Sequence, residues 1–136
     1  MPYATLEDLH ARFGAQEIDA MAARSADPAQ ALDQALADAD AEIDGYLAAR
    51  YRLPLPVVPA ALVRIACDIA RYRLWSERAS EEVRRRYEDA RRFLEALARG
   101  DVRLMVGEDE PAAPQAMAAA RTGDAPVFTR DGTKDF

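Results

Sequence analysis

The stretch "RYRLPLPVVP", residues 50–59, constrains this chain more than any other. Pro54, Pro56 and Pro59 forbid helix there. They also push the residues before them, Leu53, Leu55 and Val58, into extended conformations. Apolar residues recur at helical spacing on both sides, so the order must be helix, strap, helix. In polyproline-like form residues 51–58 would cover about 25 Å at roughly 3.1 Å each, enough to run back along much of the preceding helix. Leu53, Leu55, Val57 and Val58 are then available to pack on it. Flexible linkers are richer in Gly and Ser, so the strap reads as a rigid structural connection.

The flanking segments carry clear start and stop signals. Thr5 is placed to cap a first helix, with Asp8 as the reciprocal partner of a capping box. Leu6, Leu9 and Phe13 form its apolar face, and Gly14 is suited to a left-handed cap. A short second helix, roughly residues 15–24, presents Ile18 and Met21. Asp27 and Pro28 restart the chain as N-cap and first helical position, with Gln30 at the third. Leu32, Leu36, Ala39, Ile43 and Leu47 then recur at steps of three or four, while Asp33, Asp38, Asp40, Glu42 and Asp44 take other positions. This third helix is expected to reach about Arg50, near 23 residues or roughly 34 Å.

Pro59 suits the first position of a fourth helix, with Leu62, Ile65, Ala66, Ile69 and Ala70 as its buried face. Arg64, Asp68 and Arg71 are expected on its other sides. Ser80 caps a fifth helix, Glu81 and Glu82 sit in its dipole-favoured first turn, and Gly100 ends it. Val83, Tyr87, Ala90, Leu94 and Leu97 make its stripe. The spacing predicts an all-α fold: a bundle of about five helices over residues 1–100, with the extended strap between the third and fourth. Residues 101–136 turn to Ala, Gly, Pro and charge and read as an extended carboxy-terminal tail.

A chain of 136 residues is long enough for one domain with its own core and short for two. Half its residues are hydrophobic, but many are alanine, and one Trp, four Phe and five Tyr imply a thin, helix-packed core. No apolar run nears 18 residues, so no membrane span is expected. The start "MPYATLEDLHARFG" lacks the pattern of a signal peptide. Cys67 alone allows no internal disulfide and fits a reducing compartment.

The net charge of −6 is unevenly spread. Residues 1–45 carry ten acids and two bases, whereas residues 46–99 carry twelve arginines and seven acids. One reading is solvated helix faces. The sharper one is a subunit whose acidic half meets the basic half of an identical neighbour, a head-to-tail contact that closes a ring or runs on as a filament. That reading puts Asp33, Asp38, Asp40 and Glu42 opposite Arg64, Arg71, Arg84, Arg85 and Arg86 at the ring interface.

Nothing in the sequence resembles an active site, and no enzymatic reaction, cofactor or metal is expected. His10 stands alone in a charged helix, Cys67 lies next to a buried face, and there is no Cys/His metal spacing or phosphate-cradling glycine loop. The alternative is a small basic-helix regulator that binds nucleic acid. "RYR" at 50–52 and 71–73 and "RRRY" at 84–87 interleave arginine with tyrosine, a pattern that can grip phosphates and stack on bases. Glu77, Glu81, Glu82, Glu88 and Asp89 crowd those clusters and favour subunit ion pairs instead.

The tail carries a further signal. "VFTRDGTKDF" holds two aromatic residues, Phe128 and Phe136, in a polar stretch too short to fold alone. Aromatic anchors commonly carry much of an interface's energy. Arg130 and Asp131 can add charge-assisted hydrogen bonds, and Val127, Phe128 and Thr129 suit addition of a strand to an exposed edge. This segment is expected to dock on a partner.

Three stretches resemble the small head–tail connector, or adaptor, proteins of Mu-like phages and prophages: "YATLEDLHARFG" at 3–14, "YLAARYRLPLPVVPAALVRIACDIARYRLW" at 46–75 and "PVFTRDGTKDF" at 126–136. The middle stretch is the most specific, because strap and following helix agree in order and spacing. Gly132-Thr133 departs from the bulkier or more basic residues of the family pattern. The resemblance implies a helical subunit of a dodecameric ring beneath the portal, in the neck of the virion. It also implies contact with the portal protein and the next tail component, with genome DNA passing through the channel without specific binding. It implies no reaction, cofactor or membrane.

Overall fold

The computed structural model describes residues 2–105, and within them the chain is all-α. Five α-helices follow in order: α1 (Leu6–Phe13), α2 (Ala15–Ala22), α3 (Pro28–Leu47), α4 (Ala60–Trp75) and α5 (Glu81–Arg99), with a 3-10 turn at Ser76–Arg78. Among the described residues the expected bundle of five helices is what forms.

The helix ends follow their capping chemistry. Thr5 and Asp8 close a reciprocal capping box, and Asp27 accepts a hydrogen bond from the Gln30 amide at 3.2 Å. Ser80 likewise accepts from Val83 at 3.2 Å. Pro59 occupies the N-cap of α4 rather than its first turn, a one-residue difference. α3 stops at Leu47, three residues short of the expected Arg50, as the chain tightens into a turn whose Arg50 amide donates to the Leu47 carbonyl. α5 ends at Gly100 in the left-handed conformation (φ 88°, ψ 7°). There the Asp101 and Gly100 amides return to the Ala96 and Leu97 carbonyls, closing a Schellman motif.

α4 is the central element and touches every other helix. Leu62, Ile65, Ala66, Ile69 and Ala70 are all fully buried, as their spacing predicts. They meet Ala39, Ile43 and Leu47 of α3, Leu94 and Leu97 of α5, and Leu9 and Ile18 of α1 and α2 in one core. Every residue of α4 from Ile65 to Arg71 is buried, whereas Ala60, Arg64 and Arg73 stay exposed. Asp68 and Arg71, expected on its outer sides, are among the buried ones, at 4% and 7% exposure. Cys67 is buried too, and desolvation pushes its thiol up to about 12, leaving an inert core group.

The strap is a series of bends rather than a straight polyproline segment, and its Leu53–Pro54 peptide is cis. Leu55 enters the core, Leu53 and Val58 are half-buried, and Val57 remains exposed. The chain dips towards the core at these positions instead of lying flat along α3. Arg50, at its start, reaches across to the end of α5, where Nε and Nη2 donate to the carbonyls of Ala98 and Arg99 at 3.0 and 2.9 Å. A cation on the last carbonyls of a helix favours both hydrogen bonding and the helix dipole. Past α5, Leu104 is buried and its amide donates to the Tyr51 hydroxyl at 2.9 Å. Leu104 is thus tied to the start of the strap.

Candidate functional site

α1, α2 and α5 meet α4 around a polar cleft of about 400 Å³ lined by Arg12, Phe13, Glu17, Asp68, Arg71, Glu82 and Arg86. α1 ends at Phe13 and α2 starts one residue after Gly14, whose φ of 90° suits a residue without a Cβ. That tight corner sets Phe13 and Glu17 against α4. Arg71 Nε and Nη2 then donate to Glu17 Oε2 and Oε1 at 2.8 and 3.0 Å, a bidentate pair. The indole N–H of Trp75 adds a third hydrogen bond to Glu17 at 3.0 Å, and the Arg71 guanidinium lies 4.2 Å from the centre of the Phe13 ring. Hydrogen bonds from Arg71 hold the Glu17 carboxyl below its ordinary value against the opposing effect of burial.

Asp68 is held differently. Arg64 Nη1 stands 3.7 Å from its Oδ2 and Arg86 Nη1 4.0 Å from its Oδ1, distances of ion pairs rather than hydrogen bonds. Burial raises its carboxyl above the usual value despite those charges. Among the described residues, Asp68 Oδ1 and Arg71 Nη1 have no hydrogen-bond partner, although Glu82 Oε2 lies 3.5 Å from the latter. Both atoms are buried, and each faces an opposite charge, Asp68 Oδ1 that of Arg86 and Arg71 Nη1 that of Glu82. Its three arginines and three carboxylates balance.

A second polar group joins α3, α4 and α5. Glu42 accepts from Arg73 Nη2 at 2.9 Å and from the Tyr87 hydroxyl at 3.0 Å. The Tyr72 and Tyr87 rings stack at 4.1 Å, nearly parallel. Burial, reinforced by the bond to Glu42, pushes the Tyr87 hydroxyl up to about 12. At the start of the chain, buried Tyr3 donates its amide to Asp40 at 2.9 Å and its hydroxyl to Asp44. Burial raises Asp40, the first cause outweighing the lowering effect of that amide.

These contacts redistribute the residues expected at a ring interface. Arg71 and Glu42 pair across helices within the subunit, and Asp40 accepts from the Tyr3 amide. The acidic and basic parts of the sequence meet inside the chain, at Glu17–Arg71 and Glu42–Arg73. Arg64 and Arg86 are half-exposed and lean on Asp68; Arg86 also bonds Glu82 at 2.9 Å. Asp38 is half-buried and accepts from Gln34 at 3.0 Å. Asp33, Arg84 and Arg85 are exposed and form no ion pair among the described residues. The tail residues Val127, Phe128, Thr129, Arg130, Asp131 and Phe136 lie outside the described residues.

The cleft was not legible in the sequence, because Arg12, Glu17 and Glu82 look like ordinary surface charges of amphipathic helices. One signal was present: "RIACDIAR" sets Arg64, Asp68 and Arg71 at helical spacing within an apolar run. The tyrosines that supported a nucleic-acid reading are engaged internally. Tyr72 and Tyr87 stack on each other, and the Tyr51 hydroxyl bonds to Leu104. Among the described residues no group of His, Cys, Asp or Glu is arranged to hold a metal ion, and no helix is long and apolar enough to cross a membrane.

Comparison with known proteins gives a consistent result across the chain. The profile of the family described as "Bacteriophage Mu, Gp36" matches residues 3–122. The Mu-like prophage FluMu protein gp36 of Haemophilus influenzae is 38% identical over 138 residues, covering 98% of this chain and 97% of the relative. Gene product J of Escherichia phage Mu is 40% identical over 135 residues, covering 96% of each. Matches of this extent and identity show that the chain belongs to the bacteriophage Mu Gp36 family.

Proposed function

We propose that this protein is the head–tail connector subunit of a Mu-like phage or prophage particle. Copies form a ring under the portal that extends the DNA channel and joins head to tail. The observation that carries the reading is the division of charge left over once the subunit has satisfied itself. Arg84 and Arg85 remain exposed on α5, and Asp33 remains exposed on α3 within a groove that also includes Asp27. Opposite charges on different helices of one subunit suit a heterologous, head-to-tail contact, the kind that closes a ring. The family supports a role in the phage particle, and the strap, held by Arg50 to α5 and by Leu55 to the core, fixes the angle between α3 and α4 that a set curvature requires.

In this reading the subunit performs no reaction, and the carboxy-terminal segment 126–136 docks on the portal or on an adjacent subunit. The test is reconstitution with portal-bearing heads. Full-length protein is expected to co-purify with them as a ring visible by electron microscopy. Protein lacking residues 126–136 is expected to stay folded by circular dichroism and to be lost from the heads. Attachment of the truncated protein at the full-length level would move the docking surface to the helices; failure of the full-length protein to bind heads would remove the connector reading.

A further inference from the structure

We infer that the outer face of α3, with the groove between α3 and α5, is a two-fold contact surface for a second copy of this chain. The groove, about 670 Å³, runs between Asp38, Ala41 and Tyr46 of α3 and Tyr87 and Arg91 of α5. Glu42 bonds to Tyr87, and Arg50, just past α3, bonds to the end of α5, so the two helices run in the same direction. Asp38 therefore marks one end of the groove and Tyr46 and Arg91 the other, about 12 Å apart for eight residues of helix. In the middle Glu42 is already satisfied by Arg73 and Tyr87. The charges at the ends are not. Asp38 and Arg91 keep part of their surface in solvent, and neither forms an ion pair among the described residues. A small ion would suit one end and be repelled by the other. A second copy turned through 180° suits both. With the two α3 helices antiparallel and Ala41 on the axis, Asp38 of each copy faces Arg91 of the other, so the contact is made twice.

An independent observation on the same face is Gly45. It lies inside α3, its φ is not left-handed, and a Cβ there would meet nothing within 4 Å. Glycine weakens a helix relative to alanine, and nothing inside the subunit requires it. Close approach of another backbone does. Ala37, Ala41 and Gly45 are all exposed and recur every four residues, a low ridge beside the groove. With Ala41 on the axis, Gly45 of one copy lies level with Ala37 of the other, so the two helices can come close. On the far side of α3, Asp40 and Asp44 are taken up by Tyr3, which leaves the groove side with the unmet charge. The inference does not rest on the connector reading, whose head-to-tail contact uses Asp33, Arg84 and Arg85.

Sedimentation equilibrium of full-length protein at low ionic strength tests this. Arg84→Glu with Arg85→Glu serves as the background throughout, which keeps the head-to-tail contact out of the measurement. That protein is expected to reach a dimer and to stop there. Adding Asp38→Arg sets arginines against each other at both contacts, and adding Arg91→Asp sets aspartates against each other, so each variant alone is expected to pair at least tenfold more weakly. Mixed in equal amounts the two are expected to pair again, because each supplies the charge that the other lacks. Gly45→Leu, built outward from a Cβ in open space, is expected to keep its helicity by circular dichroism and to lose pairing. It stands in if either charge variant loses helicity. A background protein that stays monomeric at every concentration, variants that pair as well as it does, or a mixture no more paired than its parts would each overturn the inference. Growth of the mixture beyond the dimer would put the same charges in a head-to-tail contact and overturn the two-fold pair. Pairing in a protein whose parent does not bind portal-bearing heads would leave this inference standing and remove the connector reading. A parent that forms rings on heads while the background protein stays monomeric would do the reverse.

Discussion

The runs "RYR" at 71–73 and "RRRY" at 84–87 are composed of the same two residue types, yet the bundle treats them in opposite ways. Arg71 is buried against Glu17 and Phe13, Arg73 reaches Glu42, and Tyr72 stacks on Tyr87. Arg84 and Arg85 remain in solvent without an ion pair among the described residues. The cause is the position of each helix in the bundle. α4 is covered on every side from Ile65 to Arg71, so a charge within that stretch must find a partner or be left desolvated. α5 packs along one stripe and leaves its other side wet. A cluster of arginines therefore tells little until it is known how many sides of its helix are covered.

The largest expected effect lies on the buried side. Arg71→Met removes both hydrogen bonds to Glu17 and leaves that carboxylate with only Trp75 as a fixed donor. Breaking a buried ion pair by removing one partner costs about 3 kcal/mol at the low end of such cases, and Glu17's residual access to water places the variant there. Urea unfolding should show the loss as a lower midpoint at unchanged slope. A loss under about 1 kcal/mol would place Arg71 with ordinary surface pairs and erase the contrast with α5.

Arg50 sharpens the comparison, because it is exposed and still structural. Its guanidinium holds the carbonyls at the end of α5, over the left-handed Gly100. A Cβ at residue 100 would stand 2.6 Å from Arg50 Cζ, and the φ of 88° disfavours any side chain. Gly100→Ala should cost about 1–2 kcal/mol from the left-handed conformation and displace Arg50. In a double-mutant cycle, Arg50→Ala should then cost much less in the Gly100→Ala background than alone. Simple additivity would mean that Arg50 keeps its bonds by moving.

The Glu17 and Asp68 carboxylates should separate in acid. The hydrogen bonds from Arg71 lower Glu17, so its contribution is present above its unfolded value of 4.5 and is lost as pH falls through the lower folded value. Burial raises Asp68 above 3.8, so the native state takes up this proton at a higher pH than the unfolded chain does, and acidification relieves it. The two trends oppose each other. Asp68→Asn removes the relief, so its melting temperature should fall more steeply than that of the parent between about pH 5 and 3. Parallel curves would show that the charge on Asp68 is already compensated.

Much of this fold was legible because it depends on local chemistry. The capping box at Thr5, the Asp27 and Ser80 caps, the glycine stop at 100 and the stripe of α5 all declare themselves within four residues. The centrality of α4 did not, because it depends on four helices arriving at once. Periodicity identified the apolar face of α4 correctly but could not show that Asp68 and Arg71 would be covered as well. The pairings Tyr3–Asp40, Glu17–Arg71 and Glu42–Arg73 join residues more than thirty positions apart, beyond what spacing can register. Of the ten acids in residues 1–45, Glu17 and Glu42 are engaged in this way by arginines of residues 46–99.

What remains outward gives the smallest effect on stability and the clearest effect on assembly. Arg84→Glu with Arg85→Glu breaks no pair seen among the described residues, so unfolding should change by no more than about 0.5 kcal/mol. The substitutions move charge by four units on one exposed face of α5. If that face meets the acidic α3 groove of another copy, each lost contact is small, about 0–1 kcal/mol, but a ring repeats it at every junction. Sedimentation at low ionic strength should therefore show the double variant shifted towards smaller species, with the parent approaching it as salt rises. Arg86 is deliberately left in place, since its bonds to Glu82 and its position beside Asp68 would mix a fold effect into the result. Assembly equal to the parent at low salt would show that the free arginines of α5 are solvated surface, and that contact between copies lies elsewhere on the bundle.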